Sequence, residues 1–256
     1  MPGRWEIGAA MLGFEKGRYR TRLGSGPADL RAAQQLRHRC FIADGGEGLE
    51  TDTFDSACLH VLVEEQGESD PVACFRLLPL PGGHAIGQSY AAQFYDLSAL
   101  APIAQPILEL GRFCIRPDRK DPDILRLAWG ALTRFVDATG VGMLFGCTSF
   151  HGTDPAAFRD AFALLAARHL APPDRRPVPR AAEIHRYAAE LSGQAPDLRQ
   201  AQRQLPPLLR TYLLMGGWVS DHAVIDRDLG TLHVFTGLEI GAIPEARARL
   251  LRMVAA

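Results

Sequence analysis

The segment 106–116, PILELGRFCIR, constrains this chain more than any other. It is an apolar run of the length of a buried central strand, yet it carries Glu109 and Arg112 with Gly111 beside them. Charges inside an apolar strand are costly unless they are paired or used. In a regular strand, positions 109 and 112 face opposite sides, because side chains alternate. A glycine inside a strand often marks a bulge. One extra residue at Gly111 would turn Glu109 and Arg112 toward one side and disturb pairing with the next strand. The pair would splay, leaving backbone N–H groups along one wall of a slot.

The pattern around this strand fills in a fold. Residues 18–24 alternate Arg18, Arg20 and Arg22 with Tyr19, Thr21 and Leu23, the period of a half-exposed strand. Gly26 and Pro27 start a helix whose apolar face runs through Leu30, Ala33, Leu36, Cys40 and Phe41. An acidic, glycine-rich loop at 43–56 leads to strands at 58–64 and 71–80, and PGG at 81–83 breaks the chain before a short element at 94–100. Helical spacing returns at 122–138, with Gly140 as its stop. A buried strand at 141–150 and a helix at 155–170 follow, then a proline- and arginine-rich stretch at 171–180 without regular structure. Helical regions are expected to about Leu191 and from Pro206 to Gly216, then strands at 218–226 and 231–239 and a basic amphipathic helix from Pro244. This order predicts an α+β fold, a mixed sheet with helices on its faces. Residues 1–17 read as an extension, and 18–256 as one domain with a helical insertion at about 152–216.

Composition limits the function classes. The 256 residues are 47% hydrophobic, enough for a real core. Near-equal counts of 28 basic and 29 acidic residues argue against a broad nucleic-acid footprint. The five cysteines are odd in number and widely spaced, as reduced cytosolic thiols are. No C-x-x-C pair or histidine ligand spacing suggests a metal. The N-terminal residues lack a signal-peptide core, and no run approaches the ~20 apolar residues of a membrane span.

Charged residues elsewhere extend the constellation begun by Glu109 and Arg112. Arg37 and Phe41 sit on the first helix, Asp52 and Asp55 in the following loop, and Arg76 on the next strand. In that order, the set resembles the Arg-x-x-x-Phe, Asp-x-x-Asp, Arg and Glu-x-x-Arg pattern of acyl-homoserine-lactone synthases, within the GNAT acyltransferases. A closer resemblance is to the ornithine N-acyltransferases that begin ornithine-lipid synthesis. It is carried by AAQQLRHRCF, DTFDSACLHVLV, LELGRFCI, LFGCTSFHGTDP, LPPLLRTYLLMGGWV and AVIDRDLGTLHVF, across most of residues 20–236. Two departures from that family stand out: Cys58-Leu59-His60-Val61 where a Cys-Asp-His-Leu run is usual, and His151 where proline is usual. Lactone synthases usually end sooner and lack the GCTSFHGTDP and LPPLL segments.

The resemblance implies a GNAT acyl-CoA N-acyltransferase-like fold with a splayed strand pair. It implies transfer of a 3-hydroxy fatty acyl group from acyl carrier protein to the α-amine of L-ornithine. In place of a glycine-rich pyrophosphate cradle, the chain has RPDRKDPDIL, with two prolines and three aspartates; CoA is therefore disfavoured as donor. Arg175, Arg176 and Arg180, or Arg247, Arg249 and Arg252, would meet an acidic carrier. The α-amine is mostly protonated at neutral pH, so a base is needed. Glu109 is the candidate, directly or through water, with Arg112 and Asp55 as further catalytic candidates. Arg37, Phe41, Asp52, Arg76, His60 and Ser149 are substrate-binding candidates, and the resemblance implies no cofactor or metal. The protein is expected in the cytoplasm, in peripheral contact with the inner membrane face. The alternatives are lactone synthesis, or carrier-protein or lipid binding without turnover. Taken alone, Glu109 with Arg112 reads first as a structural ion pair; the other three elements in order reverse that reading.

Overall fold

The computed structural model describes residues 3–42 and 47–255; residues 43–46 of the expected acidic loop, Met1, Pro2 and Ala256 lie outside them. In chain order the elements are α1 (Arg4–Met11), β1 (Phe14–Lys16), β2 (Tyr19–Leu23), α2 (Pro27–Phe41), β3 (Leu59–Glu65), β4 (Ala73–Leu80) and β5 (Tyr95–Asp96). Next come β6 (Ile107–Ile115), α3 (Pro122–Thr139), β7 (Met143–His151), α4 (Arg159–Arg168), β8 (Val178–Pro179) and β9 (Ile184–His185). The chain ends with α5 (Tyr187–Glu190), α6 (Leu198–Gln204), α7 (Pro207–Leu214), β10 (Trp218–Val219), β11 (Ala223–Asp226), β12 (Thr231–Glu239) and α8 (Glu245–Ala255). These form two compact units, one of Met1–Pro79, Leu110–Val141 and Glu245–Ala256, the other of Leu80–Glu109 and Gly142–Pro244.

In the first unit, β1, β2, β3 and β4 are successive antiparallel neighbours, and β4 lies beside β6. The alternation expected at 18–24 is present: Tyr19 and Thr21 are buried, while Arg20 is exposed and pairs with Glu64 at 2.6 Å. Helix α2 buries Ala33, Leu36 and Arg37. Helix α3 starts on Asp121, whose side chain accepts the Asp123 amide, and stops at Gly140 in the left-handed conformation at φ 67°. A glycine suits that cap because it has no Cβ to clash. Helix α1 was not legible as a helix, since its sequence is short and weakly periodic. It forms because Trp5 stacks on Phe135 and Gly8 closes on Thr139 of α3.

In the second unit, β7, β12, β11 and β9 are successive neighbours, joined by antiparallel pairing. Strand β6 adds a parallel pair, Ile107↔Met143 to Glu109↔Phe145, three residues long although both strands have nine. Helices α4 and α6 pack a core of Phe150, Phe162, Leu165, Tyr187 and Leu209. Several expected spans differ. The helix at 155–170 is a 3-10 turn at Pro155–Phe158 followed by α4. The region before Leu191 contains a strand, β9, and a single turn, α5. The 171–180 stretch holds a 3-10 turn and the short β8, whose Val178 pairs with Asp96 of β5. Helix α6 was not anticipated; Asp197 caps it by accepting the Arg199 and Gln200 amides.

Candidate active site

Strand β6 departs from regularity where the sequence suggested, with a shift of one residue. Arg112 rather than Gly111 takes the left-handed conformation, at φ 52°, alone in this among the described non-glycine residues. A Cβ added to Gly111 would lie 3.5 Å from Arg76 Nε, so the strand runs close against the Arg76 side chain of β4 at this point. A non-glycine residue costs about 1–2 kcal/mol in this conformation. Arg112 is held there by bonds from Nε to Glu50 Oε1 at 3.0 Å and from Nη2 to Asp52 Oδ2 at 3.1 Å.

Those bonds belong to a network of three guanidinium groups and three carboxylates inside the first unit. Arg37 donates from Nη1 and Nη2 to the two oxygens of Asp55, at 2.7 and 2.9 Å, and from Nε to Glu50 Oε2 at 2.5 Å. Arg76 forks onto Asp52 at 2.6 Å through both Nη atoms and reaches Asp55 Oδ1 at 2.9 Å. Gln34 adds a bond to Asp55 Oδ2 at 2.9 Å. The charges alternate in sign, so burial is tolerated: Arg37 is 1% exposed and Arg76 3%. Asp52 and Arg112 are the more open members, with side chains 18% and 11% exposed. Burial opposes charge on Asp55, yet the Arg37 and Gln34 hydrogen bonds override it and hold its carboxyl well below the usual range. Asp52 is lowered in the same way, with Arg76 overriding burial.

The network brings together five expected site residues, Arg37, Asp52, Asp55, Arg76 and Arg112, and adds Glu50. Sequence reasoning missed Glu50, though its place two residues before Asp52 in the same acidic loop was the available signal. His60 joins through Nε2, 2.8 Å from the Asp55 carbonyl oxygen, and burial lowers its pKa. Phe41 packs half-buried against a cluster of Ala33, Leu36, Leu62, Cys74 and Cys114.

Glu109 lies in the second unit and is buried, 4% exposed. Its carboxylate accepts the Tyr90 amide at Oε2 and the Ala91 amide at Oε1, each at 2.8 Å. Two N–H donors match an ionised carboxylate, which only accepts. The next amide, of Ala92, donates to Ser89 Oγ at 3.2 Å. Glu109 and Ser89 thus cap the 3-10 turn Ala91–Gln93. The turn is tied from its other side by Arg180, whose Nη1 donates to the Ala92 carbonyl at 2.9 Å. Arg180 is in this way drawn into holding the turn, although the sequence offered it as part of a docking patch.

The parallel register sets Glu109 opposite Phe145, so Cys147 and Ser149 follow on the same face of β7. Burial declines along that face: Phe145 is fully buried, Cys147 half-buried and Ser149 exposed. Ser149 stands opposite His233 of β12, whose Nδ1 lies 3.1 Å from the Tyr95 hydroxyl. Tyr212 of α7 sits close enough to Glu109 to be affected by it; burial first, then the Glu109 charge, pushes its hydroxyl pKa up. Tyr95, His233 and Tyr212 were not singled out in the sequence, because isolated aromatic and histidine residues look like core.

The N-terminus of α3 follows RPDRKD. Asp121 occupies it with its own carboxylate, which also accepts from Arg18 Nη2 at 2.8 Å and Tyr19 Oη at 3.1 Å. Pro122 supplies no amide at the first helical position. Arg116 and Arg119 are each bonded to Asp118 and Glu68.

Residues 36–130 match the acetyltransferase (GNAT) domain model. The L-ornithine N(alpha)-acyltransferase of Rhodobacter capsulatus is 36% identical over 241 residues, covering 89% of this chain and 92% of the relative. That of Brucella abortus is 32% identical over 257 residues, covering 92% and 89%. Among solved structures, an N-acyl amino acid synthase from uncultured soil microbes aligns at a TM-score of 0.48 and 10% identity, over 93% of this chain and 97% of that one. With identity running nearly end to end in both partners, and a GNAT domain on a mixed sheet, the chain belongs to the L-ornithine N(alpha)-acyltransferase family.

Proposed function

We propose that this chain transfers a 3-hydroxy fatty acyl group from acyl carrier protein to the α-amine of L-ornithine, giving lyso-ornithine lipid in the first step of ornithine-lipid synthesis. The near full-length identity to L-ornithine N(alpha)-acyltransferases carries the reading. In the reaction the α-amine loses a proton, its nitrogen attacks the thioester carbonyl, and the tetrahedral intermediate expels the carrier thiol as the amide forms. Glu109 is the proposed base, taking the amine proton directly or through water. Its orientation is supported by the two amides that grip it. Backbone N–H groups of β6 are the proposed oxyanion donors. Asp52 and Arg112, the open end of the charge network, are the proposed contacts for the distal ammonium and the carboxylate of ornithine. Arg37, Asp55, Arg76 and His60 keep that end rigid.

The α3 N-terminus supports a carrier protein rather than CoA as donor. A helix start that already bears Asp121 and lacks the Pro122 amide is poorly suited to a second anion. Exposed Arg247 and Arg249, and half-buried Arg175 and Arg176, are available to an acidic carrier. We assign residues 152–216 to covering the acyl chain. Among the described residues no helix is long and apolar enough to cross a membrane. A cytoplasmic enzyme in peripheral contact with the inner membrane face fits a lipid product. Exposed Leu250 and Met253 beside the arginines of α8 support such contact.

Purified protein mixed with 3-hydroxyacyl carrier protein and ornithine tests this reading by thiol release and product mass. N-acylornithine is expected, with far slower turnover on acyl-CoA or on lysine and glutamine. Faster turnover on CoA would overturn the donor, and an acyl lactone formed from S-adenosylmethionine would overturn the acceptor.

A further inference from the structure

Three of the five cysteines meet beneath the charge network, a convergence that neither sequence spacing nor the proposed reaction accounts for. Cys74 Sγ and Cys114 Sγ are 3.6 Å apart. Cys40 is half-buried, packs against the cluster that holds Cys74 and Cys114, and donates its thiol to the carbonyl of Ile115, the residue after Cys114, at 3.5 Å. Each thiol shares an element and a face with one network arginine. Cys40 is three residues from Arg37 on α2, Cys74 two from Arg76 on β4, and Cys114 two from Arg112 on β6. The Arg116 amide donates to the Val72 carbonyl at 2.8 Å, which sets β4 beside β6 where Cys74 meets Cys114. The thiols and the arginines are therefore successive rungs of one interface between α2 and the sheet.

From this geometry we propose that Cys40 and Cys114 form a peroxide-driven disulfide that switches the enzyme off by displacing Arg37 and Arg112. The Cys40 thiol loses its proton, the thiolate attacks hydrogen peroxide and breaks the O–O bond to become a sulfenic acid, and the departing hydroxide takes up that proton as water. The Cys114 sulfur then attacks the Cys40 sulfur, and the sulfenic oxygen departs with the Cys114 proton as a second water. The two thiols are unequal in the required sense. The neighbouring Cys114 thiol holds the Cys40 pKa down, whereas Cys40, Cys74 and burial push Cys114 up. Closure to the ~2.05 Å of a disulfide draws α2 against β6. The network has no slack to absorb that movement, because Arg37 is bonded at all three nitrogens.

Peroxide treatment of the whole protein, followed by a double trypsin and Glu-C digest, tests the linkage; this cleavage puts Cys40, Cys58 and Cys74 on separate peptides. A Cys40–Cys114 peptide is expected, together with a loss of turnover of at least about tenfold that dithiothreitol restores. Cys40→Ser and Cys40→Ala should keep turnover and resist peroxide. Cys114→Ser should leave a sulfenic acid on Cys40 that dimedone traps. An unmodified Cys40, a Cys74–Cys114 link in its place, or equal peroxide sensitivity in Cys40→Ser would overturn the proposal. The effect on turnover rests on the proposed function, whereas the peptide map does not, so the two can fail separately.

Discussion

Arg37 and Asp55 face each other as a two-point clasp, Nη1 to Oδ1 at 2.7 Å and Nη2 to Oδ2 at 2.9 Å, from a helix and a loop eighteen residues apart. The clasp ties the loop that carries Asp52 to the helix that backs it. Replacing Arg37 by alanine leaves Asp55 and Glu50 buried without it and should destabilise the protein by about 3–5 kcal/mol. Arg37→Lys should recover only part of this, because an ammonium cannot span both oxygens. Urea unfolding of the two variants measures the difference.

The same carboxylates set the response to acid. Asp52 and Asp55 lie below the ordinary carboxylate range in the folded state, since arginine hydrogen bonds override burial. The unfolded chain binds their protons near pH 3.9, so below that it holds more protons than the native state. Stability from these groups is full above about pH 4 and falls as pH drops further, by at most about 1.4 kcal/mol per pH unit for each carboxylate. Thermal melts of Asp55→Asn should show lower stability at pH 7 and a shallower fall below pH 4.

Glu109→Gln replaces an acceptor-only group with one that keeps a single oxygen for the Tyr90 and Ala91 amides. A base role predicts a fall in kcat of about 10²–10⁴ and loss of the acidic limb of the kcat–pH profile. Circular dichroism checks that the variant folds. Undiminished turnover in a folded variant would leave Glu109 only the task of holding the turn.

Gly83 begins the chain segment that leads to the Tyr90 and Ala91 amides. A Cβ there would overlap the Leu100 carbonyl oxygen and lie 2.9 Å from the Ala101 carbonyl oxygen. Backbone atoms cannot step aside as a side chain can. Gly83→Ala should cost about 1–3 kcal/mol and lower turnover, read by denaturant titration and by the thiol-release assay.

Much of this arrangement was already legible in the residues. Strands β2, β6 and β7 and helices α2 and α3 declare themselves through side-chain period, and Gly140 and Asp121 through local cap chemistry. The irregularity of β6 was readable from Gly111, although the strained residue proved to be Arg112. Helix α1 and the breakup of 181–191 were not readable, since both depend on what packs against them.

The sequence by itself determined most of the strands and helices, because periodicity and capping are properties of neighbouring residues, whereas the set of Arg37, Asp52, Asp55, Arg76 and Arg112 was marked by its resemblance to a family motif. Only the tertiary structure decided who pairs with whom. It added Glu50 to the charge network, gave Glu109 its partners in Tyr90 and Ala91, and gathered Cys40, Cys74 and Cys114 into one cluster. Side chains far apart in sequence meet only when sheet register and helix packing carry them there, and burial then forces each charge to find a partner.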